Sequence, residues 1–151
     1  MRGVTLSVPR GHCLCLAGAN AEGKTTLLSI AAGLLAPDHG AVFTDGAVGF
    51  VAQDAAALDE LTLSDNLRLW YAARDLPAVL FAADSPETIL GLFPHRKTRA
   101  GALSGGVRRR LSIATALIGH PAYVLLDEPF ASLDTAACEE LASMLCALKE
   151  N

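Results

Sequence analysis

Residues 18–26 read GANAEGKTT, and this stretch decides the fold that the rest of the chain can form. The pattern G-x-x-x-x-G-K-[ST] is met at four positions, Gly18, Gly23, Lys24 and Thr25. Glycine lets consecutive backbone N–H groups turn towards an anion, and a helix that follows adds the positive end of its dipole. The flanking sequence predicts that setting, with an apolar strand over 12–18 and a helix over 24–35. The stretch therefore indicates a binding site for the phosphates of a nucleotide.

Two side chains of this loop have predicted roles of their own. Lys24 can reach the β- and γ-phosphates with its ammonium group. The Thr25 hydroxyl can join the coordination shell of a Mg²⁺ ion that is bound to the same phosphates. The loop thus predicts both a nucleotide and a divalent cation as ligands.

The composition of the 151 residues suits a single α/β domain. Hydrophobic residues make up 52% of the chain, which is typical of a parallel sheet covered on both faces or of a domain that packs against a partner. No apolar run is long enough to span a membrane, and residues 1–12 do not resemble a secretory signal. The net charge of −4 argues against a broad nucleic-acid footprint. The local basic run Arg108–Arg110 is interpreted as three solvated or phosphate-near side chains.

Four cysteines raise the question of a metal site. Cys13 and Cys15 would face one side of the predicted first strand, and Cys138 and Cys146 lie on a late predicted helix. The sequence has no C-x-x-C pair, and none of its four histidines completes a ligand set of suitable spacing. We therefore expect buried free thiols in a reducing cytosol rather than a metal centre.

Turn and capping residues divide the chain after the first helix. Asp45-Gly46 predicts the tight turn of a hairpin between strands at 41–44 and 47–51, and the second strand leads to Gln53. From 54 to 103 the pattern is helical. Helix starts are expected there at two capping sites, Thr62–Asp65 and Ser85–Glu87.

The last part of the chain predicts a helix, a strand and a second helix. Apolar residues at helical spacing indicate a helix over 107–118 that stops at Gly119 and Pro121. Residues 122–127, AYVLLD, predict a buried strand of a parallel sheet. A final helix is expected over 135–149. Its core stripe is predicted to consist of three leucines, Leu141, Leu145 and Leu148.

Two further motifs bear on phosphate chemistry. Asp127 and Glu128 follow the apolar strand, where one carboxylate can hold Mg²⁺ and the other can polarise water, although acids at strand ends also serve solubility. Ser104, Gly105 and Gly106 precede a helix, where a hydroxyl, backbone N–H groups and the helix dipole can bind a second anion. An ordinary helix cap is the alternative interpretation of Ser104. A lone chain should not need two separate phosphate sites.

In these motifs the chain resembles the ATP-binding cassette of ABC transporters. GANAEGKTT is similar to the Walker A motif, FVAQD (50–54) to the Q-loop, LSGGVRRRLSIATAL (103–117) to the signature motif, and YVLLDEPFASLD (123–134) to Walker B with the D-loop. The resemblance implies a P-loop NTPase (RecA-like) α/β fold with a parallel-sheet core and a helical signature subdomain. It places the core in 1–53 and 122–151 and the subdomain in 54–121. Within the family it is nearest to cassettes of bacterial multidrug or haem-type exporters.

The resemblance also assigns roles to individual residues. Two cassettes pair head to tail, so that the signature motif of one closes over the nucleotide held by Walker A of the other. The residues that would bind ATP in the same chain are Gly18, Asn20, Ala21, Glu22, Gly23, Lys24, Thr25, Thr26 and Gln53. Those that would organise Mg²⁺ are Thr25, Gln53 and Asp127, and Glu128 would be the general base. The contacts to the second subunit would come from Leu103, Ser104, Gly105, Gly106 and, at the subunit boundary, Asp134.

The chain departs from the family pattern within its motifs and at both ends. Ala21 replaces the usual glycine, where helical backbone angles are expected to preserve the loop, and Glu22 replaces a small residue. Val107 and Thr115 stand where the family has glutamine and arginine. The sequence also lacks the upstream aromatic residue that stacks on adenine and the switch histidine that follows Walker B. We therefore expect a cassette truncated at both ends, with the C-terminal strands missing and apolar sheet edges exposed.

Three hypotheses for function follow from the resemblance. The first is an ATP-hydrolysing subunit, cytoplasmic and peripheral on the inner face of the cell membrane. It would pair with a second nucleotide-binding domain and contact a transmembrane permease through residues 53–67. The second is a cassette ATPase outside transport, and the third is a nucleotide-binding chain with impaired catalysis, because a core strand and the histidine are missing. We expect no nucleic-acid partner.

Overall fold

The computed structural model describes residues 3–53, 57–131 and 133–150, with side chains up to Ala147. Within them the elements follow in the order α1 (Lys24–Ala31), β1 (Val48–Val51), α2 (Leu63–Ala72), α3 (Pro86–Ile89), α4 (Gly105–Leu117), β2 (Tyr123–Leu126) and α5 (Thr135–Glu150). Two short 3-10 turns, Phe93–His95 and Ala100–Ala102, lie between α3 and α4. None of the described helices combines the length and the apolar content that a membrane span requires.

β1 and β2 pair in parallel, which confirms the α/β class with a parallel sheet. The register is continuous over four pairs, Val48–Tyr123, Gly49–Val124, Phe50–Leu125 and Val51–Leu126. α4 packs on β1, and a Cβ at Gly49 would meet the carbonyl group of Ala116 on that helix. The close approach of the two backbones therefore requires glycine at this position. Because the strands are parallel, both carboxyl ends lie at one edge of the sheet, where Gln53 and Asp127 follow.

The hydrophobic core lies among the helices that connect the two strands. α2 and α3 both pack against α4, and α3 also contacts α5. The leucine and isoleucine side chains with no exposed surface are Leu63, Leu67, Leu90, Leu92, Leu111 and Ile113. Burying each of them stabilises the fold by about 1.5–3 kcal/mol before the loss of conformational entropy is subtracted. The division into a sheet core and a helical subdomain stays a prediction.

The predicted caps begin the predicted helices. The Thr62 hydroxyl accepts a hydrogen bond from the backbone N–H of Asp65 at 3.1 Å, which caps α2. Ser85 precedes α3, whose first turn contains Pro86. α5 confirms the last predicted helix, with Leu141 buried, whereas the side chain of Leu148 lies outside the described residues.

α1 ends at Ala31, four residues before the predicted end. Gly33 has a φ of 74°, and its N–H donates to the carbonyl of Ile30 at 3.0 Å. The N–H of Leu34 donates to the carbonyl of Ser29 at 2.9 Å. These bonds satisfy the last carbonyls of the helix, so the chain turns away at the glycine rather than continuing to Leu35.

The predicted first strand and the predicted hairpin are not formed. Residues 12–18 contain no strand, and Leu14 is 50% exposed. Residues 41–44 also lie outside the sheet, with Phe43 91% exposed, so only the second strand of the hairpin forms, as β1. A strand requires a hydrogen-bonded neighbour, and no segment within the described ranges pairs with either stretch.

Two predictions of burial are also wrong. Val124 of β2 is exposed and its neighbours are half-buried, because β2 has a strand beside it on one side only in the described part of the chain. The cysteine thiols are free but not enclosed. Cys13, Cys15 and Cys146 are exposed, and Cys138 is half-buried. The exposure of the first two follows from the missing strand, since an unpaired segment packs against nothing that would cover it.

Candidate nucleotide site

The loop GANAEGKTT leads into α1, as its pattern predicts. Gly23 is the N-cap residue of α1 with a φ of 92°, a conformation that glycine adopts without steric conflict. Ala21 has a φ of 66°. The expectation of ordinary helical angles at Ala21 is therefore wrong, and the left-handed conformation costs an alanine about 1–2 kcal/mol.

The side chain of Lys24 folds back over the loop. Its Nζ donates hydrogen bonds to the carbonyl oxygens of Gly18 at 2.8 Å and Ala19 at 2.7 Å. Thr25 and Thr26, which follow it on the first turn of α1, are exposed. The ammonium group thus binds two carbonyl groups of its own loop in this structure.

Glu22 occupies the loop in a way that the sequence pattern does not predict. One carboxylate oxygen, Oε2, accepts a hydrogen bond from the backbone N–H of Ala19 at 2.9 Å. The same oxygen lies against Gly18, where an added Cβ would collide with it. A negatively charged oxygen therefore already uses a loop N–H that is suited to a phosphate.

The acidic pair follows β2 at the carboxyl edge of the sheet. Asp127 is 2% exposed, and its N–H donates to the carbonyl of Val51 at 2.9 Å, which extends the pairing with β1. Its Oδ2 has no hydrogen-bond partner among the described residues. A buried carboxylate oxygen without a donor fits a hard divalent cation such as Mg²⁺. Glu128 is exposed and has a φ of 47°, so its side chain leaves the strand in a different direction.

The structure brings some of the predicted residues together and leaves others apart. Gln53 and the pair Asp127–Glu128 share the edge formed by β1 and β2. α1, which carries Lys24 and Thr25, has no buried residue and makes no extensive contact with the other described helices and strands. The helix that carries the predicted phosphate loop is thus packed only weakly, if measured by burial, whereas the predicted metal edge follows the paired strands β1 and β2.

The signature residues line a groove of about 310 Å³ between the N-terminal ends of α4 and α5. The predicted residues in it are Ser104, Gly105, Gly106 and Asp134. The Ser104 hydroxyl accepts a hydrogen bond from the N–H of Val107 at 3.4 Å, which is the ordinary cap that was the alternative interpretation. Asp134 likewise accepts one from the N–H of Ala137 at 2.8 Å. Leu103 packs against the hydrophobic core beside this groove.

Arg109 is the residue at this site that sequence reasoning missed. Of the two predicted alternatives for Arg108–Arg110, solvated or phosphate-near side chains, solvation is wrong for Arg109, which is 5% exposed. Its guanidinium reaches backbone carbonyls at the carboxyl edge of the sheet, including those of Gln53 and Glu128. The available signal in the sequence was its place directly before LSIATAL, residues 111–117, of which five are apolar.

Comparison with known proteins gives one consistent result. A family model described as ABC transporter matches residues 1–131. The sulfate/thiosulfate import ATP-binding protein CysA of Mycobacterium tuberculosis is 36% identical over 160 residues, which cover 97% of this chain and 46% of that protein. The lipoprotein-releasing system ATP-binding protein LolD of Bacteroides thetaiotaomicron is 32% identical over 176 residues, which cover 99% of this chain and 78% of that protein.

A solved structure agrees with the sequence comparisons. A metal-chelate type ABC transporter in an inward-facing conformation superposes with a TM-score of 0.80 at 26% identity, covering 95% of this chain and 60% of that chain. The chain spans about half the length of the curated CysA relative, 46%. The family model covers most of the sequence, and the order of loop, helices and acidic strand end is the one that the motifs predicted. The chain belongs to the ABC transporter family.

Proposed function

We propose that the chain is the ATP-binding part of a subunit that hydrolyses ATP to drive a membrane transport system. The observation that carries the proposal is Asp127, a buried carboxylate with an unpartnered oxygen at the same sheet edge as Gln53. A divalent cation would satisfy such an oxygen, and the nucleotide loop of the same chain supplies a reason for that cation to be Mg²⁺. The names of the relatives, which are ATP-binding proteins of transport systems, support the same conclusion.

The proposed roles follow the chemistry of each side chain. Lys24 and the N–H groups of the loop would bind the β- and γ-phosphates. Thr25, Gln53 and Asp127 would hold Mg²⁺, which would neutralise charge on the phosphates. Glu128 accepts a proton from the attacking water. Its exposure at the strand edge is compatible with that role, because the carboxylate is free to meet a water molecule there.

A second subunit is part of the proposal. The groove with Ser104 and Asp134 lies at the N-terminal ends of two helices, where the dipoles favour an anion. We propose that this groove contacts the γ-phosphate held by the partner's loop. The residues that line the groove come from 104–110 and 133–141 and not from the Lys24 loop, which supports a composite site.

The names of the relatives do not point to one direction of transport. The relatives named above are an import protein and a protein of a lipoprotein-releasing system. They give no support to the predicted exporter subgroup. We therefore propose an ATP-dependent transport system, with the chain peripheral on the cytoplasmic face of its membrane.

The test is ATP binding and turnover by the purified chain with Glu128→Gln as the decisive variant. We expect the variant to lose at least about a hundredfold in turnover while its Kd for ATP stays within about twofold of the wild-type value. The control is Glu139→Gln, which removes an exposed carboxylate of α5 and should change neither quantity. Equal turnover in Glu128→Gln and wild type would contradict the proposed base.

A second candidate, nucleotide binding with impaired catalysis, has an observation of its own. α1 has no buried residue, and residues 12–18 before the loop form no strand. A loop that is not held against the metal edge binds phosphates but does not align them with Glu128. Wild-type turnover at background level together with measurable ATP binding would favour this candidate.

A further inference from the structure

One guanidinium lies beneath the carboxyl edge of the sheet and contacts both strand ends. Arg109, on the second turn of α4, is almost fully buried. On the β1 side its Nη1 donates to the carbonyl oxygens of Ala52 at 2.6 Å and Gln53 at 3.0 Å. These carbonyls follow the last paired residue of β1. The guanidinium therefore supplies the hydrogen bonds that the neighbouring strand no longer provides.

The same group holds the segment after β2. Its Nη2 donates to the carbonyl oxygens of Asp127 and, at 2.7 Å, Glu128. Its Nε donates to the carbonyl of Pro129 at 3.2 Å. A guanidinium has five N–H donors in a rigid plane, and here they meet five carbonyls from two segments. The plane of one side chain therefore sets the distance and orientation between the two segments.

This arrangement acts directly on the backbone of the proposed catalytic groups. Glu128 has a left-handed φ of 47°, which is unfavourable for a residue with a side chain, and the bond to its carbonyl helps to hold it. Asp127, whose carbonyl the guanidinium binds, carries a buried carboxylate oxygen without a partner among the described residues. A small rotation of the peptide group of Asp127 or Glu128 would change the direction in which the carboxylate side chains point.

We propose that Arg109 is a positioning residue that sets Gln53 and the pair Asp127–Glu128 relative to one another for a magnesium nucleotide. The inference rests on the proposed function for the identity of the ligand. We therefore expect that a positive charge at position 109 is not enough to position these groups. Lysine keeps the charge but has three donors on a flexible stem, so it cannot bridge five carbonyls in one plane.

The test compares Arg109→Lys with a matched control, Arg108→Lys, in the full chain. Arg108 lies on the same helix, forms an ion pair with Asp59, and donates to the carbonyls of Ala57 and Ala100 rather than to the carbonyls that Arg109 binds. ATP affinity is measured with and without Mg²⁺. We expect Arg109→Lys to bind ATP in the absence of Mg²⁺ within about twofold of the wild-type affinity. The factor by which Mg²⁺ increases the affinity for ATP should be about tenfold smaller in Arg109→Lys than in the wild type. Arg108→Lys should retain both.

Hydrogen exchange supplies a readout that does not depend on bound nucleotide. In Arg109→Lys we expect the amides of residues 52, 53, 127 and 128 to exchange at least about tenfold faster than in Arg108→Lys, with the core amides of α4 unchanged. Equal exchange in the two variants would overturn the proposal. So would an equal loss of ATP affinity with and without Mg²⁺, since that marks a general structural defect. If the wild type binds no nucleotide, the proposed function fails, and the exchange comparison still decides the role of Arg109.

A measurement on the wild type covers the case in which Arg109→Lys does not fold. Five hydrogen bonds restrict rotation of the guanidinium, so its Nη groups should give separate nitrogen NMR signals. We expect these signals to shift when Mg²⁺ is added to the ATP-bound chain. Signals of Arg109 that are averaged by free rotation, or that do not respond to Mg²⁺, would contradict the proposal.

Discussion

At the scale of single residues, Ala21 holds a backbone conformation that glycine adopts at lower cost. Ala21→Gly should stabilise the folded chain by about 0.5–1 kcal/mol, because relief of the left-handed strain exceeds the added entropy of the unfolded chain. The free energy of unfolding in urea checks this. Ala19→Gly is the control, since Ala19 is not among the described residues of positive φ, and it should give no gain. A destabilised Ala21→Gly would contradict the assigned strain.

Glu22 predicts a second effect at the residue scale. Its carboxylate accepts the hydrogen bond of the Ala19 N–H and places a negative charge where phosphate charge would arrive. Glu22→Gln should therefore bind inorganic triphosphate about five- to tenfold more tightly, as judged by calorimetry, because one charge-assisted bond no longer competes. Glu60→Gln removes an exposed carboxylate outside the loop and should leave the affinity unchanged. Equal affinity in Glu22→Gln and wild type would show that the carboxylate does not compete.

At the scale of elements, the start of β2 is tied to the turn before β1. The hydroxyl of Tyr123 donates to a carboxylate oxygen of Asp45 at 2.6 Å. That bond first, and the charge of Arg10 second, lower the pKa of Asp45 below 3.8. Because the pKa of Asp45 is lowered in the folded chain, the contact stabilises the fold at pH values above the ordinary pKa of an aspartate. This contribution is lost as the pH falls through the lowered pKa of Asp45 in the folded chain.

Tyr123→Phe tests this tie between the two elements. The pKa of Asp45 should rise towards 3.8, because the largest cause of its lowering is removed. Titration of the carboxyl carbon by NMR measures it. Tyr71→Phe serves as the control, since burial and Glu87 raise the pKa of Tyr71 and it has no part in the shift at Asp45. An unchanged pKa in Tyr123→Phe would show that the hydrogen bond does not persist in solution.

Helices and strands differed in how far they could be predicted. The caps at Thr62 and Ser85 begin helices because the hydrogen bond or proline that starts each of them is local in sequence. The strand over 12–18 failed because its stability depends on a neighbour that no local pattern supplies. β1 and β2 are strands because they pair with each other. The paired residues, such as Val48 and Tyr123, are 75 positions apart in the sequence.

At the scale of the whole molecule, exposed apolar side chains occur in several regions of the described chain, and two of these regions are close in sequence to the predicted motifs. One comprises the segments that precede and follow the nucleotide loop in the sequence and includes Leu14 and Phe43. The other is the segment before α2, where Leu58 is 53% exposed and Leu61 is half-buried. The backbone of the second segment is fixed, since the N–H of Leu58 donates to the side-chain oxygen of buried Asn66 at 2.8 Å. A fixed backbone with an exposed apolar side chain is suited to contact with a partner.

We expect Leu58→Asp to abolish co-purification with the permease subunit, because a charge would be buried at the proposed contact. Leu61→Asp should do the same, with a melting curve to confirm that it folds. The control is Leu69→Asp, which places the same charge on an exposed leucine of α2. Retained co-purification of Leu58→Asp would contradict the proposed surface.

The sequence by itself determined the order of chemical groups in this protein. The nucleotide loop, the signature residues and the acidic strand end are recognised by local spacing, because each depends on neighbouring backbone groups. Tertiary structure alone decided which of these groups meet. It joined Gln53 to Asp127 through the pairing of β1 with β2, and it buried Arg109 beneath both strand ends. The physical reason is that a buried guanidinium requires several acceptors at once, and those acceptors come from segments that only the fold brings together.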